Sequence, residues 1–392
     1  MKKIIISLIA LLFVISACDE KELGPITESM GKPSTVTQVQ TTSIPGGVLI
    51  TYRIPDQEDL LSVKGVYTLT NGKTKEVVAS FYENIIRIEG YNDVQQHVVE
   101  LYSVNRAGEL SDPVEVSFTP LESAISKAYN SMEIVQDFGG ARFSWLNPDK
   151  GILNFEFLAE DSVGMIRPYK ILTSQEDTVK YSMRGFEPEP IIFGVVISDL
   201  WDNVTDTIFP AGKIITPLYE KKFDKSKWSL LQLGNDVTSW NNWEGISEGI
   251  IDDDVSTIGH SPVGAMPASF TIDMGAKAKL SRLVMFQWDD DCEYAWGNPK
   301  RFEVYGRADA PSMNGDWDEW DKIMDCTIIK PSGSPIGTNT DADLAALKAG
   351  HEFTVDVNAG VFRYIRIRVL STWASTTFTH IAEVTMYGSE VN

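Results

Sequence analysis

The most regular signal along this chain is alternation. Gly46-Gly47-Val48-Leu49-Ile50-Thr51-Tyr52-Arg53-Ile54-Pro55 opens on a glycine pair and then sets Val48, Ile50 and Tyr52 on one face. A period of two, rich in β-branched and aromatic residues, predicts a half-buried strand. Residues 63–69 predict another, and Asn71-Gly72 predicts the hairpin turn that follows. His97-Val98-Val99-Glu100-Leu101-Tyr102-Ser103-Val104-Asn105 alternates again and runs into Gly108 and Ser111-Asp112-Pro113. The pattern then recurs. Gly139-Gly140-Ala141-Arg142-Phe143-Ser144-Trp145-Leu146-Asn147-Pro148 repeats the first segment 93 residues later, and the run from Phe193 to Asp206 repeats Val99 to Asp112 at an offset of 94. Two matches at nearly one offset predict a tandem duplication of a β-sandwich of about 90 residues. Tyr52 and Trp145 then face the opposite sheet and are read as core rather than as ligand platforms.

Breaks in the pattern place the boundaries. Residues 18–32 carry charge, Gly and Pro without periodicity and read as a tether. The first sandwich is expected over 33–121 and the second over 122–217, where Thr216-Pro217 stops a strand and a Lys-rich run follows. Residues 218–392 form the third domain, whose strands are expected at 268–275, 298–306, 362–369 and 381–388. The Ala- and Leu-rich stretch Asp341 to Ala349 is the clearest helical patch and decorates a loop. The fold class is therefore all-β: two tandem sandwiches followed by a third.

The N-terminus is a targeting segment rather than fold. Lys2 and Lys3 precede an apolar run from Ile4 to Ile15 that is too short for a normal membrane span. Val14-Ile15-Ser16-Ala17-Cys18 resembles a bacterial lipobox, which implies cleavage of residues 1–17 and lipidation of Cys18. The following Asp19-Glu20-Lys21-Glu22 resembles the surface-export signal of Bacteroidetes lipoproteins. Acyl chains on Cys18 would hold the protein on the outer-membrane lipid, facing the cell exterior, without any spanning helix.

Charge narrows the partners. With 34 Lys and Arg against 55 Asp and Glu, the net charge of −21 speaks against nucleic acid, because phosphate neutralisation needs clustered bases. It also disfavours adsorption to anionic lipid heads and leaves neutral glycans compatible. Apart from Cys18 there are two cysteines, Cys292 and Cys326, and the sequence leaves their pairing open.

Three resemblances add to this reading. The run from His97 to Pro113 resembles the penultimate strand and following turn of a fibronectin type III domain. The last third offers the acidic turn Ile251-Asp252-Asp253-Asp254-Val255-Ser256-Thr257, alternating strands, long loops and a late Glu383 on a closing strand. In that order these resemble the discoidin (factor V/VIII type C) fold, which also underlies family 32 carbohydrate-binding modules and is galactose-binding-like. The whole chain resembles Bacteroidetes surface lipoproteins of polysaccharide-utilisation loci. That resemblance implies a lipid-anchored glycan-binding protein that captures polysaccharide for uptake or degradation by partner proteins, with an outer-membrane glycan transporter complex among the partners it suggests. The rival reading is a surface adhesion or scaffold protein that binds protein partners.

The discoidin resemblance implies a structural calcium ion held by Asp252, Asp254, Thr257 and Glu383 with backbone carbonyls, since hard cations take several oxygens. The family usually has Gly where this chain has Asp253. A sugar site needs a flat aromatic face and polar groups on loops. Trp288, Trp296 and Asn298 lie on one loop, Trp373 on a second, and His260 on a third, just after the acidic turn. In galactose-binding relatives a His, an Arg, an Asn and an aromatic form the pocket; here the place of the Arg reads Gln287-Trp288-Asp289. Any single Trp could instead pack beneath its loop, but Trp296 and Trp373, set among small and polar neighbours, are the expected platforms. Catalysis is the remaining class. Asp289-Asp290-Asp291 with Glu293, and Asp316 with Asp318, Glu319 and Asp321, are consecutive loop carboxylates, whereas a glycoside hydrolase needs two at a set separation across a cleft. No His-Glu-x-x-His motif occurs, and no enzyme is expected.

Overall fold

A computed structural model describes residues 28–391. The leader, the lipobox and Cys18 lie outside the described residues. The fold is all-β, and the described residues include two short α-helices, Ala124–Ser131 and Asp341–Ala349. Among the described residues no helix is long and apolar enough to cross a membrane.

The chain forms two compact units. The first takes in the described residues up to Glu133 together with Ser144–Lys180 and Phe193–Phe209. Its N-terminal part is a sandwich of a three-stranded sheet, in the order Thr37–Ile44, Gly47–Arg53, Ile85–Glu89, and a four-stranded sheet, in the order Thr74–Ser80, Leu60–Thr68, His97–Asn105, Val114–Phe118. The alternating positions read from the sequence meet between the sheets. Val48, Ile50, Tyr52, Val63, Val99 and Leu101 share one core cluster. Tyr52 is buried, and its hydroxyl donates to the Glu83 carbonyl at 3.3 Å, so burial, with the Glu83 charge, pushes its pKa up to about 12. Trp145 is likewise buried and packs on Phe155, ring centroids 4.0 Å apart.

The doubled glycine motif folds alike in both copies. Gly46 has φ +65° and Gly139 φ +64°, a left-handed conformation that only glycine enters freely. Gly46 N–H donates to Leu121 O at 3.0 Å, and Gly139 N–H to Leu218 O at 2.7 Å. The second glycine of each pair has a different reason. A Cβ on Gly47 would lie 2.0 Å from Ile88 O, and one on Gly140 1.9 Å from Met183 O.

The second unit takes in Ile134–Phe143, Tyr181–Ile192 and everything from Pro210. Its main sheet has the order Lys221–Lys222, Glu383–Glu390, Ala268–Phe286, Phe362–Thr372, Pro299–Arg307, Asp321–Thr327. The central strand runs from Ala268 to Phe286, well past the end expected at Gly275. It stays continuous because it bends. Gly275, at φ +75°, marks a register shift; before it the strand pairs with Phe362–Thr372, and after it with Glu383–Glu390. One strand thus joins two partner strands around a core that includes Phe270, Ile272, Leu283, Phe302, Ile365, Ile367 and Met386. The helix Asp341–Ala349 forms where its composition predicts, closed by a capping box of Thr340 and Asp343. Cys292 and Cys326 are buried free thiols, and burial pushes both pKa values up to about 12.

Candidate functional site

Three loops of the second unit converge. The two-residue pair Gly259–His260 and His380–Ile381 brings His260 and His380 together, with ring centroids 5.7 Å apart. Backbone bonds fix the rest. His260 N–H donates to Trp240 O at 2.7 Å, His380 N–H to Gly297 O at 3.1 Å, and Ala374 N–H to Trp296 O at 3.1 Å. Gly297 permits this approach, since a Cβ there would stand 2.9 Å from the Phe378 ring and 3.0 Å from His380 Nδ1. Asn298 is fully buried and clips the second loop shut: its Oδ1 accepts from Trp288 N–H at 2.9 Å, and its Nδ2 donates to Trp288 O and Cys292 O, each at 2.8 Å.

The result is an open concavity of about 480 Å³. Trp243, Trp288, Trp296 and Phe378 give it aromatic walls, His260 and His380 its imidazoles, and Asp290 and Asp291 its carboxylates. Trp243 is 81% exposed and Trp296 60%. Both hold left-handed backbone, φ +52° and +47°. Such conformations cost a bulky residue of order 1–3 kcal/mol and persist only where the surroundings impose them. His260 stacks on Phe378 at 4.9 Å, and Trp288 stands edge-on to His380 at 5.2 Å.

Electrostatically the concavity is neutral to acidic. Burial, with His260 adjacent, pulls the His380 pKa down to about 3, so the ring is uncharged at neutral pH. Neither of its nitrogens has a hydrogen-bond partner, although the residue is only 2% exposed. His260 Nδ1 lies 2.8 Å from Ser261 O and must carry the proton when the ring is neutral, leaving Nε2 as an acceptor.

Of the residues expected to meet a ligand, the structure brings His260, Trp288 and Trp296 to this concavity. Asn298 frames it from behind. Trp373 does not line it; half-buried, it packs against the main core and edge-on to Tyr294, with the Lys300 ammonium 4.9 Å from its ring. Trp243, Asp290, Asp291 and His380 were not foreseen as a set. A lone aromatic in a polar stretch was the available signal for Trp243; nothing marked His380.

The acidic turn has a different geometry. Asp252 and Asp254 bond within the turn: Thr257 Oγ1 donates to Asp252 at 2.8 Å and Ser256 Oγ to Asp254 at 2.6 Å. Glu383 is buried and faces a lysine. Lys225 Nζ lies 2.5 Å from Glu383 Oε1, 2.8 Å from Asp253 Oδ1 and 3.0 Å from Thr385 Oγ1. The second Glu383 oxygen accepts from Asp253 N–H at 2.6 Å. Burial pushes the Glu383 pKa up to about 7 against the pull of Lys225. Among the described residues no group of three or more His, Cys, Asp or Glu is arranged to hold a metal ion.

Comparison with known proteins follows the same division of the chain. Three family models, each described as a domain of unknown function, match residues 33–120 (DUF4959), 121–226 (DUF5126) and 243–388 (DUF5000). None of the curated proteins matches. Among solved structures, a SusE-like protein is 30% identical over 68% of this chain and 100% of its own, with a TM-score of 0.45. The C-terminal domain of a chitobiase from Bacteroides fragilis is 19% identical over 44% of this chain and 100% of its own, with a TM-score of 0.32. The family 32 carbohydrate-binding module of C. perfringens NanJ, solved with galactose, is 14% identical over 43% of this chain and 98% of its own, with a TM-score of 0.30.

Proposed function

The chain belongs to the SusE-like family, and from that premise we propose that it is a non-catalytic glycan-binding protein of the Bacteroidetes cell surface. In this reading Cys18 carries the lipid and residues 18–32 form the tether. Modules at 33–121 and 122–217 act as spacers, and residues 218–392 hold oligo- or polysaccharide for transfer to an outer-membrane transporter or to degrading enzymes.

One observation carries the reading: an aromatic-walled concavity whose buried imidazole has both nitrogens unpartnered. A buried polar group without a partner costs about 1–3 kcal/mol, a cost that a ligand hydroxyl can relieve. Exposed indoles offer the flat apolar face that the C–H side of a sugar ring needs. Many copies on one cell would engage one polymer, so modest affinity per site suffices.

The test is retention in polysaccharide gels. Wild type should be retarded by at least one polymer, and Trp296→Ala and Trp243→Ala should each lose retardation without melting earlier. Retention unchanged in both variants would sink the site. Anchoring is tested separately: Cys18→Ala should release the protein from membranes, and shaving intact cells with protease should remove the wild type.

A further inference from the structure

We infer that this concavity selects by charge: it takes uncharged glycans and rejects those bearing carboxylate or sulfate. The inference rests on the proposed glycan site and specifies its ligand class. Binding an anion requires a guanidinium, an ammonium or convergent N–H donors. Among the described residues lining the concavity there is no Lys or Arg. Its titratable groups are two aspartates, two histidines and the Cys292 thiol, which burial keeps protonated. His380 is held neutral chiefly by its burial, so it supplies no cation. In its neutral form His260 gives its Nδ1 proton to Ser261 O and presents Nε2 as an acceptor. The Asp290 and Asp291 carboxylates accept from hydroxyls that donate, and the indole N–H groups of the lining are uncharged donors. An acidic sugar would bring its charge against two aspartates with nothing to offset it. The chain's net charge of −21 adds a repulsion that salt screens beyond about 8 Å at physiological ionic strength.

The experiment uses one polymer in three forms. Each neutral polysaccharide that retains the full-length protein is carboxymethylated and, separately, hydroxyethylated, so that bulk is matched while charge differs. Retention should survive hydroxyethylation and fall at least tenfold on carboxymethylation. The double variant Asp290→Asn/Asp291→Asn should recover most of that loss. Equal loss with both derivatives would overturn the inference, as would retention of the carboxymethylated polymer that disappears in Trp296→Ala. If no polysaccharide, neutral or acidic, retains the protein, the glycan reading itself fails, a result distinct from failed charge selection.

A second, independent observation concerns the acidic turn. We propose that the Lys225 ammonium is the resident cation of this domain, standing where the discoidin resemblance expects calcium. Its side chain is almost fully buried, and Glu383, Asp253 and Thr385 each give it an oxygen within 3.0 Å. An ammonium has three donors, and three oxygens satisfy them. Asp253, which stands where the family usually has Gly, sits at φ +68° and turns its carboxylate onto Lys222 at 2.7 Å and Lys225 at 2.8 Å. The departure from glycine and the buried lysine thus belong to one arrangement. Both Asp252 oxygens and Asp254 Oδ1 meanwhile accept from donors of their own turn. Wild-type protein should melt at the same temperature in chelator and in millimolar calcium. Lys225→Ala should melt about 10 °C lower, and calcium should raise the variant's melting temperature but not the wild type's. A fall of the wild-type melting temperature in chelator would overturn the proposal even if the variant does not fold, and so would a Lys225→Ala protein as stable as wild type.

Discussion

Glu383 and His380 lie three residues apart, are equally buried at 2% exposure, and both depart from their ordinary protonation. Burial drives each toward its neutral form, the carboxyl up to about 7 and the imidazole down to about 3. Their surroundings differ completely. Both Glu383 oxygens have partners: Lys225 and the Val384 N–H on one, the Asp253 N–H on the other. Neither His380 nitrogen has one. Depth and shifted pKa are common to both, so they do not distinguish a structural polar group from a binding one. Hydrogen-bond satisfaction separates this pair, although the buried nitrogens of Trp145, Trp373 and His351 also lack partners away from the concavity. A closed set of partners describes a piece of the fold, whereas an open set beside exposed indoles describes a place for a ligand.

The largest effect expected from this comparison lies on the closed side. Removing Lys225 leaves Glu383 buried and unpaired, which costs about 3–5 kcal/mol, whereas replacing both together with Lys225→Met and Glu383→Leu should restore most of the loss. Denaturant titration of the two variants measures the difference; a double variant no more stable than Lys225→Ala would show that the pair is not the closed unit described. Next comes Trp373→Ala. As a half-buried packing residue it should cost about 3 kcal/mol in unfolding titrations, with retention per folded molecule unchanged. Loss of retention at unchanged stability would move Trp373 into the binding surface.

The open side carries a pH signature. The folded-state pKa of His380 is depressed below its ordinary 6.5, so in the window between about 3 and 6.5 the unfolded chain binds more protons. Stability from this group is complete above 6.5 and is lost as pH falls, by about 2 kcal/mol between pH 7 and pH 5. His351, lowered to about 4 by burial, has the same sign. Glu383, raised to about 7, contributes in the opposite sense, stabilising at low pH and losing that contribution as pH rises toward 7. Comparing the pH dependence of wild type with that of His380→Gln cancels both. The variant should be flatter by that amount, and identical slopes would show that His380 titrates normally. The smallest effect is Trp296→Ala. A tenfold loss of polymer retention, about 1.4 kcal/mol, should come with a change of less than about 0.5 kcal/mol in stability. Early melting would return this Trp to packing.

Local physics made much of this protein legible from its sequence. The repeated Gly-Gly turn requires one backbone conformation, so the pattern in the chain and the pair of φ angles in the structure are the same fact stated twice. Period-two alternation placed Val48, Ile50, Tyr52, Ile365 and Ile367 in cores, because a strand's side chains have only two faces to choose between. The helix Asp341–Ala349 followed from its composition and cap. Tertiary structure decided the rest. Lys225 reads as one lysine in a basic run until the fold sets it against a carboxylate 158 residues away. Trp296 and Trp373 have similar neighbours in sequence, yet one lines a concavity and the other packs on Tyr294. The length of the strand Ala268–Phe286 depends on partners that arrive from both sides of Gly275. Periodicity reports which face a residue takes within its own element. Whether a buried polar atom finds a partner depends on segments far off in the chain, and so it was settled only when the chain folded.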